Sequence, residues 1–230
     1  MKSDERASAL ALLRRTEWLG RHPAELAAAL LDHGRLVRLN AGEWAQAEGD
    51  ERDGLFVVLH GLFHSYCQAP GDREVMLGAS GAGAVLGHAT RFSGGPRLVT
   101  AICAEPGVVL EIGVEALERI GARHPELWRA IADSAYANVR NALQMVAEVI
   151  ALPPRPRLAA RLLAAAGRSA DGTAIVRLSQ EQLGETAGLS RKTTSQHLAT
   201  LEAQGLIDRG YGHIILRDLA GIERVAREGG

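Results

Sequence analysis

The sequence predicts an α+β chain in three parts: an N-terminal antiparallel β-barrel of the jelly-roll type, a long helix, and a C-terminal winged helix-turn-helix. Two changes of pattern along the 230 residues lead to this prediction. Short apolar runs broken by Gly, Asp and Pro extend from Leu36 to about Ile112, which is typical of antiparallel strands and turns. From Pro125 to Leu152 the pattern changes to a helical period without internal Gly or Pro. The expected domains are 1–122, 123–152 and 153–230.

The composition is that of an ordinary globular protein, with 47% hydrophobic and 23% charged residues. No apolar run approaches the roughly 18 residues of a membrane span, and the N-terminus is too charged for a secretory signal. A cytoplasmic protein without a membrane partner is therefore expected. The two cysteines, Cys67 and Cys103, lack CxxC spacing, which argues against a disulfide framework or a thiolate metal site. They are expected to be apolar fillers.

Charge is distributed unevenly along the chain. The net charge is −1, but residues 1–150 carry −4 and residues 151–230 carry +3. A mildly basic part attached to an acidic one is the arrangement expected of a DNA-contacting module, although the asymmetry alone is weak evidence.

Two helices are predicted ahead of the strands, over residues 5–19 and 23–33. Both segments are rich in Ala and Leu at helical spacing, and His22-Pro23 is a good start for the second.

Apolar residues of the long helix recur at alternating steps of four and three, which is the spacing of a coiled-coil seam. At 1.5 Å per residue the helix spans about 40 Å. The seam predicts a homodimer formed through residues 125–152. The alternative is a helix packed only on its own barrel, because a flank of further apolar residues widens the face and is expected to lie toward the barrel. The seam is Trp128, Ala132, Ala135, Val139, Ala142, Val146 and Val149, and the flank is Leu127, Ile131, Leu143 and Ile150.

The segment "LPPRPR" at 152–157 ends the long helix, because proline inside a helix costs about 3 kcal/mol. After it come a helix, a short strand at "TAIVRLS", and two short helices joined by a turn at Gly188. Ser179 with Gln182 forms a capping box for the first short helix, and Ser190 with Thr193 caps the second. Two capped helices around a glycine turn predict a helix-turn-helix. Its inward residues are Leu183, Ala187, Leu189, Leu198 and Leu201.

The second helix of this motif would enter the major groove of double-stranded DNA by its N-terminal end. Arg and Lys suit guanine and Gln suits adenine, while hydroxyls and the positive helix end favour phosphate. The strands around Gly210-Tyr211-Gly212 predict the wing. The predicted DNA-binding residues are Ser179, Gln180, Ser190, Arg191, Lys192, Thr193, Ser195 and Gln196.

Across nearly its whole length the chain resembles the Crp/Fnr family of bacterial transcription regulators. The resemblance is carried by "AGEWAQAEGDERDGLFVVLHG", "GAGAVLGHATRFSGGPRLVTA", the long helix, and "LSRKTTSQHLATLEAQGLI". It implies a barrel of the cyclic-nucleotide-binding type and a homodimeric regulator, not an enzyme. Such a regulator binds a two-fold symmetric DNA site and contacts RNA polymerase if it is an activator.

The family's cyclic AMP-binding members carry a phosphate cradle, and the resemblance places its positions on six residues of this chain. Gly87 and Arg97 match, whereas His88 replaces a glutamate and Leu98 a hydroxyl residue. Two adenine-contacting hydroxyl residues fall on Ala142 and Leu143. Since hydrogen bonds to charged groups contribute roughly 1.5 to 3 kcal/mol each, we expect cyclic AMP not to be the effector. Arg97 is then expected either to hold another anion or to be satisfied within the protein.

The resemblance also bears on cofactors. Haem-based gas sensing through His88 or His64 stays an alternative, whereas the N-terminal cysteine cluster of the iron-sulfur branch is absent. His60 and His64, four residues apart on a strand, span about 13 Å and would reach one metal only if Gly61 kinked the chain sharply. No metal site is predicted, and the effector stays unknown.

Departures from the family's pattern in the helix-turn-helix change what is expected of DNA recognition. Lys192 replaces a common glutamate and Gln196 a common arginine, so the half-site should differ from those of well-known members. Thr194 and His197 stand where apolar residues are usual. Either the motif packs slightly differently, or His197 points outward toward phosphate.

Two rival functions stay open. A metal-dependent barrel enzyme of the cupin type would need His-x-His, which the barrel does not contain. A ligand-binding module without DNA binding would leave the helix-turn-helix vestigial.

Overall fold

A computed structural model describes residues 3–51, 54–87, 94–169 and 171–228. These residues belong to two compact units, Met1–Glu74 with Ser80–Arg140, and Val75–Ala79 with Asn141–Gly230. None of the helices in the described part of the chain is long and apolar enough to cross a membrane. The predicted boundaries at 122 and 152 stay predictions.

Two helices precede the sheet, α1 (Ser3–Leu13) and α2 (Ala24–His33). The second begins after Pro23, as predicted, but the first ends six residues earlier than the predicted 5–19. Thr16 explains the early end, because its hydroxyl donates to the carbonyl oxygen of Leu13 at 2.7 Å and accepts from the Leu19 amide at 3.3 Å. A side chain that supplies the hydrogen bonds of a turn competes with the helix.

A six-stranded antiparallel sheet has the strand order β1-β6-β3-β4, with β2 paired to β6 and β5 to β3. All of its residues except 75–79 of β4 belong to the first unit. The two longest strands pair with each other along most of their length, with irregularities around Gly61. This β-rich domain followed by helices confirms the predicted fold class. The strands are β1 (Arg35–Leu39), β2 (Trp44–Gln46), β3 (Leu55–Ala69), β4 (Arg73–Ser80), β5 (Val85–Leu86) and β6 (Thr100–Ile112).

Helices cover part of this sheet and close its core. The helix α3 (Val114–Arg123) and the first turns of α4 (Glu126–Ala151) pack with the N-terminal helices. Consecutive residues of the long strands are buried in different clusters: Val57 and Leu110 pack with the helices, whereas Val58 and Val109 belong to a second apolar cluster. Because successive side chains of a strand point to opposite faces, both faces of the sheet are apolar here. The largest fully buried side chains of this region are Phe63, Leu13, Leu26, Leu30, Leu55, Leu110, Ile112, Leu117, Ile120, Leu127 and Ile131.

The long helix α4 matches the prediction within one residue at each end. The four apolar residues that flank the seam differ in exposure: Leu127 and Ile131 are fully buried, whereas Leu143 and Ile150 are 65% and 80% exposed. The expectation that all four flanking residues pack inward is therefore wrong for the last two. The cause is that only the first turns of the helix belong to the core of the first unit. Exposed apolar residues continue along the helix at Tyr136, Val139, Val146 and Val149.

The second unit contains a small four-stranded sheet in the order β7-β8-β10-β9 and four helices after α4, within the described residues. Residues Leu158, Leu162, Leu183, Leu198 and Ile222 are fully buried there. The elements are α5 (Pro154–Ala165), β7 (Gly167–Arg168), β8 (Ala174–Val176), α6 (Gln180–Thr186), α7 (Arg191–Ala203), β9 (Ile207–Gly210), β10 (His213–Leu216) and α8 (Leu219–Arg227).

Candidate nucleic-acid interface and effector site

The first helix of the motif, α6, begins with the predicted capping box. The Gln182 amide donates to Ser179 Oγ at 3.2 Å, and the Ser179 amide donates to Gln182 Oε1 at 2.9 Å. Two amides at the helix start are thereby satisfied, which fixes where α6 begins. Gln180, the first residue of α6, is half-buried.

The second helix, α7, is capped as predicted by Ser190, whose Oγ accepts from the Thr193 amide at 3.2 Å. The two hydroxyls also lie 2.9 Å from each other. The turn between the helices passes through Gly188, whose φ of +61° is a conformation that glycine adopts without strain. Local sequence thus determines both the start of α7 and the turn that directs it.

A close contact between the two helices was not predicted. A Cβ atom at Gly184 of α6 would lie 2.6 Å from Thr194 Oγ1 of α7. Thr194 is fully buried, and its hydroxyl donates to the Ser190 carbonyl oxygen at 3.0 Å. The threonine therefore packs in place of the apolar residue that the family pattern led us to expect. A glycine one residue after the buried Leu183 was the signal available in the sequence.

The outward face of the first turns of α7 is polar and accessible. Arg191, Lys192, Ser195 and Gln196 are all exposed, whereas Leu198 and Leu201 on the other face are fully buried. The predicted inward residues are buried, except that Leu189 is half-buried. Two cations and two hydrogen-bonding side chains therefore stand together at the positive end of this helix, where an anion is favoured.

His197 is half-buried rather than fully turned toward solvent. Burial lowers the pKa of its imidazole, and the nearby charge of Arg155 lowers that pKa further. Of the two expectations for His197, the structure favours different packing of the motif over an outward phosphate contact.

The wing is the hairpin of β9 and β10, in which Gly210 pairs with His213. Arg209 ties β9 to α7, because its amide donates to Glu202 Oε1 at 3.0 Å and its Nε donates to Glu202 Oε2 at 2.8 Å. These hydrogen bonds lower the pKa of Glu202. At the hairpin tip, Tyr211 is fully exposed. These contacts hold the wing against the second helix, α7.

In the first unit, two residues of the predicted effector site come together. Arg97 is only 3% exposed, and its Nη1 donates to the Gly87 carbonyl oxygen at 2.7 Å. Its guanidinium carbon lies 5.6 Å from the centre of the Phe56 ring. A Cβ at Gly87 would overlap Arg97 Nη1, so this approach requires glycine.

Of the other predicted effector residues, Leu98, Ala142 and Leu143 are exposed in the structure. Leu98 is 67% exposed although Arg97 beside it is buried. Ala142 and Leu143 belong to the second unit and are exposed on α4. His88 lies outside the described residues. Among the described residues of the first unit, Gly87 and Arg97 are in contact, whereas the Leu98 side chain is turned to solvent.

Gln46, which the sequence analysis missed, is 6% exposed beside this pair. Its signal was a polar residue at an inward position of a strand.

His64 and the cysteines lie on β3 and β6. Burial lowers the pKa of His64, and Glu105 nearby partly opposes that shift. Burial raises the pKa of both Cys67 and Cys103, so both thiols are protonated at neutral pH. Within the described ranges, no three His, Cys, Asp or Glu side chains are grouped as ligands of a metal ion.

Two models of known protein families match this chain, one in its N-terminal part and one in its C-terminal part. Residues 36–124 match the model of the cyclic nucleotide-binding domain, and residues 156–225 match that of the Crp-like helix-turn-helix domain.

Similar proteins share both parts. The "CRP-like cAMP-activated global transcriptional regulator" of Mycobacterium tuberculosis is 26% identical over 205 residues, which cover 87% of this chain and 92% of that protein. The crystal structure of a CRP/FNR-family transcriptional regulator from Thermus thermophilus has a TM-score of 0.68 at 23% identity and covers 85% of this chain and 100% of that one. The "c-di-GMP Responsive Global Regulator CLP" of Xanthomonas campestris has a TM-score of 0.69 at 21% identity, with coverage of 85% and 100%. The two solved structures show that the fold is the same.

Proposed function

Because this chain belongs to the Crp/Fnr family of transcription regulators, we propose that it acts as a homodimer on a two-fold symmetric DNA site and answers to an effector other than cyclic AMP. The family consists of transcription regulators and not of enzymes, and the helix-turn-helix makes DNA the partner.

The observation that carries the DNA contacts is the exposed cationic start of α7. Arg191 and Lys192 lie in the first turn of a helix whose start is fixed by the Ser190 cap. In a helix-turn-helix this end of the second helix enters the major groove, where Arg binds guanine O6 and N7 in a bidentate manner. Ser195 and Gln196 are exposed one turn further along α7 and complete the set of side chains that would contact bases.

The homodimer is supported by the exposed apolar residues of α4. Val139, Leu143, Val146 and Ile150 are each more than half exposed in the single chain. A stripe of this kind is unfavourable in water and is typical of an interface. Two copies related by a two-fold axis would present two winged helices to a symmetric site. If the protein is an activator, RNA polymerase is a further partner.

The proposal that the effector is not cyclic AMP is supported by the residues at the positions of the phosphate cradle. A histidine at position 88 and a leucine at 98 replace the polar groups of the cyclic AMP-binding members, and Leu98 is turned to solvent. The names of two regulators given above refer to different nucleotides, cAMP for one and c-di-GMP for the other. The shared fold therefore leaves the ligand open, and Arg97 is the residue proposed to hold its anionic group.

The proposal is tested by selecting sites for the full-length protein from a library of random duplexes, with and without cell extract. We expect enrichment of an inverted repeat whose half-sites are separated by about one helical turn. Calorimetric titration with cyclic AMP should give no heat of binding under conditions where the selected duplex binds. Failure to enrich any sequence in either arm would contradict DNA recognition, and binding of cyclic AMP at micromolar concentration would contradict the altered effector.

A further inference from the structure

Gln46 is a buried polar residue on the inward side of β2. It is paired in register with Ala101 of β6, which is fully buried, and Gln46 itself is only 6% exposed. Glutamine is rarely buried without partners, since an unmet amide group costs free energy in an apolar setting. A buried glutamine therefore needs hydrogen-bond partners for both the nitrogen and the oxygen of its carboxamide.

The orientation of that carboxamide is fixed by one hydrogen bond. Its Nε2 donates to the Val99 carbonyl oxygen at 2.9 Å. Because a carbonyl oxygen can only accept, the nitrogen must face Val99, and Oε1 faces the other way. No described residue donates a hydrogen bond to Gln46 Oε1, which is buried. The oxygen of Gln46 is thus a buried acceptor inside the first unit.

Gln46 Oε1 and the Arg97 guanidinium both lie beside Gly87. A Cβ built on Gly87 would overlap Arg97 Nη1 and would lie 2.9 Å from Gln46 Oε1. The absence of a side chain at Gly87 therefore lets both polar groups pack against this residue, where they are neighbours. An arginine offers only donors and the glutamine oxygen only accepts, so their chemistry is complementary to a ligand that contains both kinds of group.

Backbone hydrogen bonds hold both residues in place. The Arg97 amide donates to the Asp50 carbonyl oxygen at 2.9 Å, and the Gly49 amide donates to the Arg97 carbonyl oxygen at 2.9 Å. The turn that follows β2 is thereby fastened to the segment that carries Arg97 and Val99. The pair is built into the fold and is not the chance meeting of two mobile side chains.

We propose that Gln46 determines effector specificity, and that the effector is an organic anion carrying an O–H or N–H donor close to its anionic group. The anionic group binds Arg97, and the donor meets Gln46 Oε1. This inference rests on the proposed role of Arg97 in holding the effector. An anion of the same shape without the donor leaves Gln46 Oε1 unpaired, and sites built around such a hydrogen bond reject analogues that lack it.

The test compares anions that differ by one hydroxyl: lactate with propionate, and mandelate with phenylacetate. Isothermal titration calorimetry of the full-length protein should show at least one hydroxylated member binding about tenfold tighter than its partner, as one hydrogen bond to a buried group predicts. In Gln46→Met the ratio should fall to about one. In Arg97→Met both members of the pair should lose binding.

Gln68→Met, which makes the same substitution at an exposed position of β3, should keep the ratio of the unchanged protein. Gln46→Leu serves as a second variant if Gln46→Met melts at a markedly lower temperature than the unchanged protein. Thermal unfolding followed by circular dichroism identifies any variant that does not fold. A preserved ratio in folded Gln46→Met, or no binding of any of the four anions by the unchanged protein, overturns the inference. The same preparations are titrated with the selected duplex, so that loss of DNA recognition is distinguished from loss of anion discrimination.

Discussion

Gly184 and Thr194 set how closely the two helices of the DNA-binding motif approach. Alanine is a better helix former than glycine by about 1 kcal/mol, so Gly184→Ala would be expected to stabilise an isolated helix. In this protein the added Cβ would lie 2.6 Å from the hydroxyl of the buried Thr194, whose β-branched side chain has few rotamers. Overpacking of this kind costs about 1–3 kcal/mol.

We therefore expect Gly184→Ala to lower the free energy of unfolding by about 1–3 kcal/mol in urea titrations. The double variant Gly184→Ala with Thr194→Ala should recover most of that loss, because the second change removes the clashing hydroxyl. Gly167→Ala is the control, since a Cβ there would lie 3.8 Å from the nearest atom, in ordinary contact. Additive effects of the two alanine substitutions would show that the contact is not the cause.

Arg191 is the exposed residue at the start of α7 from which the sequence of the DNA site is expected to be recognised. Arg191→Ala should weaken binding to the selected duplex by about 1–3 kcal/mol, which is roughly 5- to 150-fold, and should reduce discrimination against a scrambled duplex. Fluorescence anisotropy at one fixed salt concentration measures both affinities, because phosphate contacts make them salt-dependent. Arg15→Ala, at an exposed position after α1, should leave both unchanged. Equal losses on the two duplexes would assign Arg191 to phosphate rather than to a base.

At the scale of elements, the end of α4 is joined to α5 by a buried ion pair. Glu148 and Arg161 form it, with side chains 10% and 11% exposed, and Arg157 Nη1 donates to the Val149 carbonyl oxygen at 3.1 Å. Proline at 153 and 154 separates the helices, so these contacts fix the direction in which α5 leaves α4. A buried pair has paid a desolvation cost for each charge, so removing one partner is worse than removing both.

Arg161→Met and Glu148→Leu alone should each lower the free energy of unfolding by about 3–5 kcal/mol, whereas the double variant should come close to the unchanged protein. Urea unfolding at neutral pH measures all three. The control is Arg227→Met, which breaks an exposed pair with Glu223 and should cost less than about 1 kcal/mol. A double variant as unstable as either single one would mean that packing, and not the charge left unpaired, is responsible.

The attachment of the wing to α7 should depend on pH through Glu202. Hydrogen bonds from Arg209 lower the pKa of this carboxyl below its ordinary value of about 4.5. A lowered carboxyl pKa means that the unfolded chain binds more protons than the folded one in the interval below 4.5. Its contribution to stability is therefore present above about pH 4.5 and is lost as the pH falls through the pKa of the folded state.

Glu202→Gln should accordingly melt at a lower temperature than the unchanged protein at pH 7, and the difference should shrink as the pH falls below 4.5. Thermal unfolding measured from pH 7 to pH 3 follows it. Glu223→Gln, at a carboxyl on the exposed side of α8, is the comparison. A difference in melting temperature that stays constant across this interval would show that the charge of Glu202 does not act through Arg209.

For the molecule as a whole, the parts that could be predicted are those determined by local sequence. The period change at Pro125, the capping residues Ser179 and Ser190 and the turn glycine at 188 each act within a few residues, and all appear in the structure where they were expected. Contacts between residues far apart in sequence could not be predicted. Gln46 meets Val99 across 53 residues, and nothing in a single sequence shows that its oxygen is left facing Arg97.

The end of α4 illustrates the same limit at larger scale. Its apolar period correctly predicted a helix with an apolar face, but periodicity alone does not say what covers each part of that face. Leu127 and Ile131 are covered within the first unit, whereas Leu143 and Ile150 are exposed. The proposed dimer supplies a cover for the exposed part, and this makes the oligomeric state a test of how the whole chain is organised.

Val146→Glu should separate the proposed dimer into single chains. Val146 is 53% exposed at a seam position, and a carboxylate there would face its own copy across a two-fold axis, where like charges repel. Sedimentation at micromolar concentration should give about twice the chain mass of 24.5 kDa for the unchanged protein and 24.5 kDa for the variant. Affinity for the selected duplex should fall sharply, because each chain then holds a single half-site. Gln144→Glu adds the same charge about 200° around the helix and should leave both mass and affinity unchanged. A mass of 24.5 kDa for the unchanged protein alone, together with a complex of one chain per full site, would contradict the dimer and leave the exposed residues of α4 without an explanation.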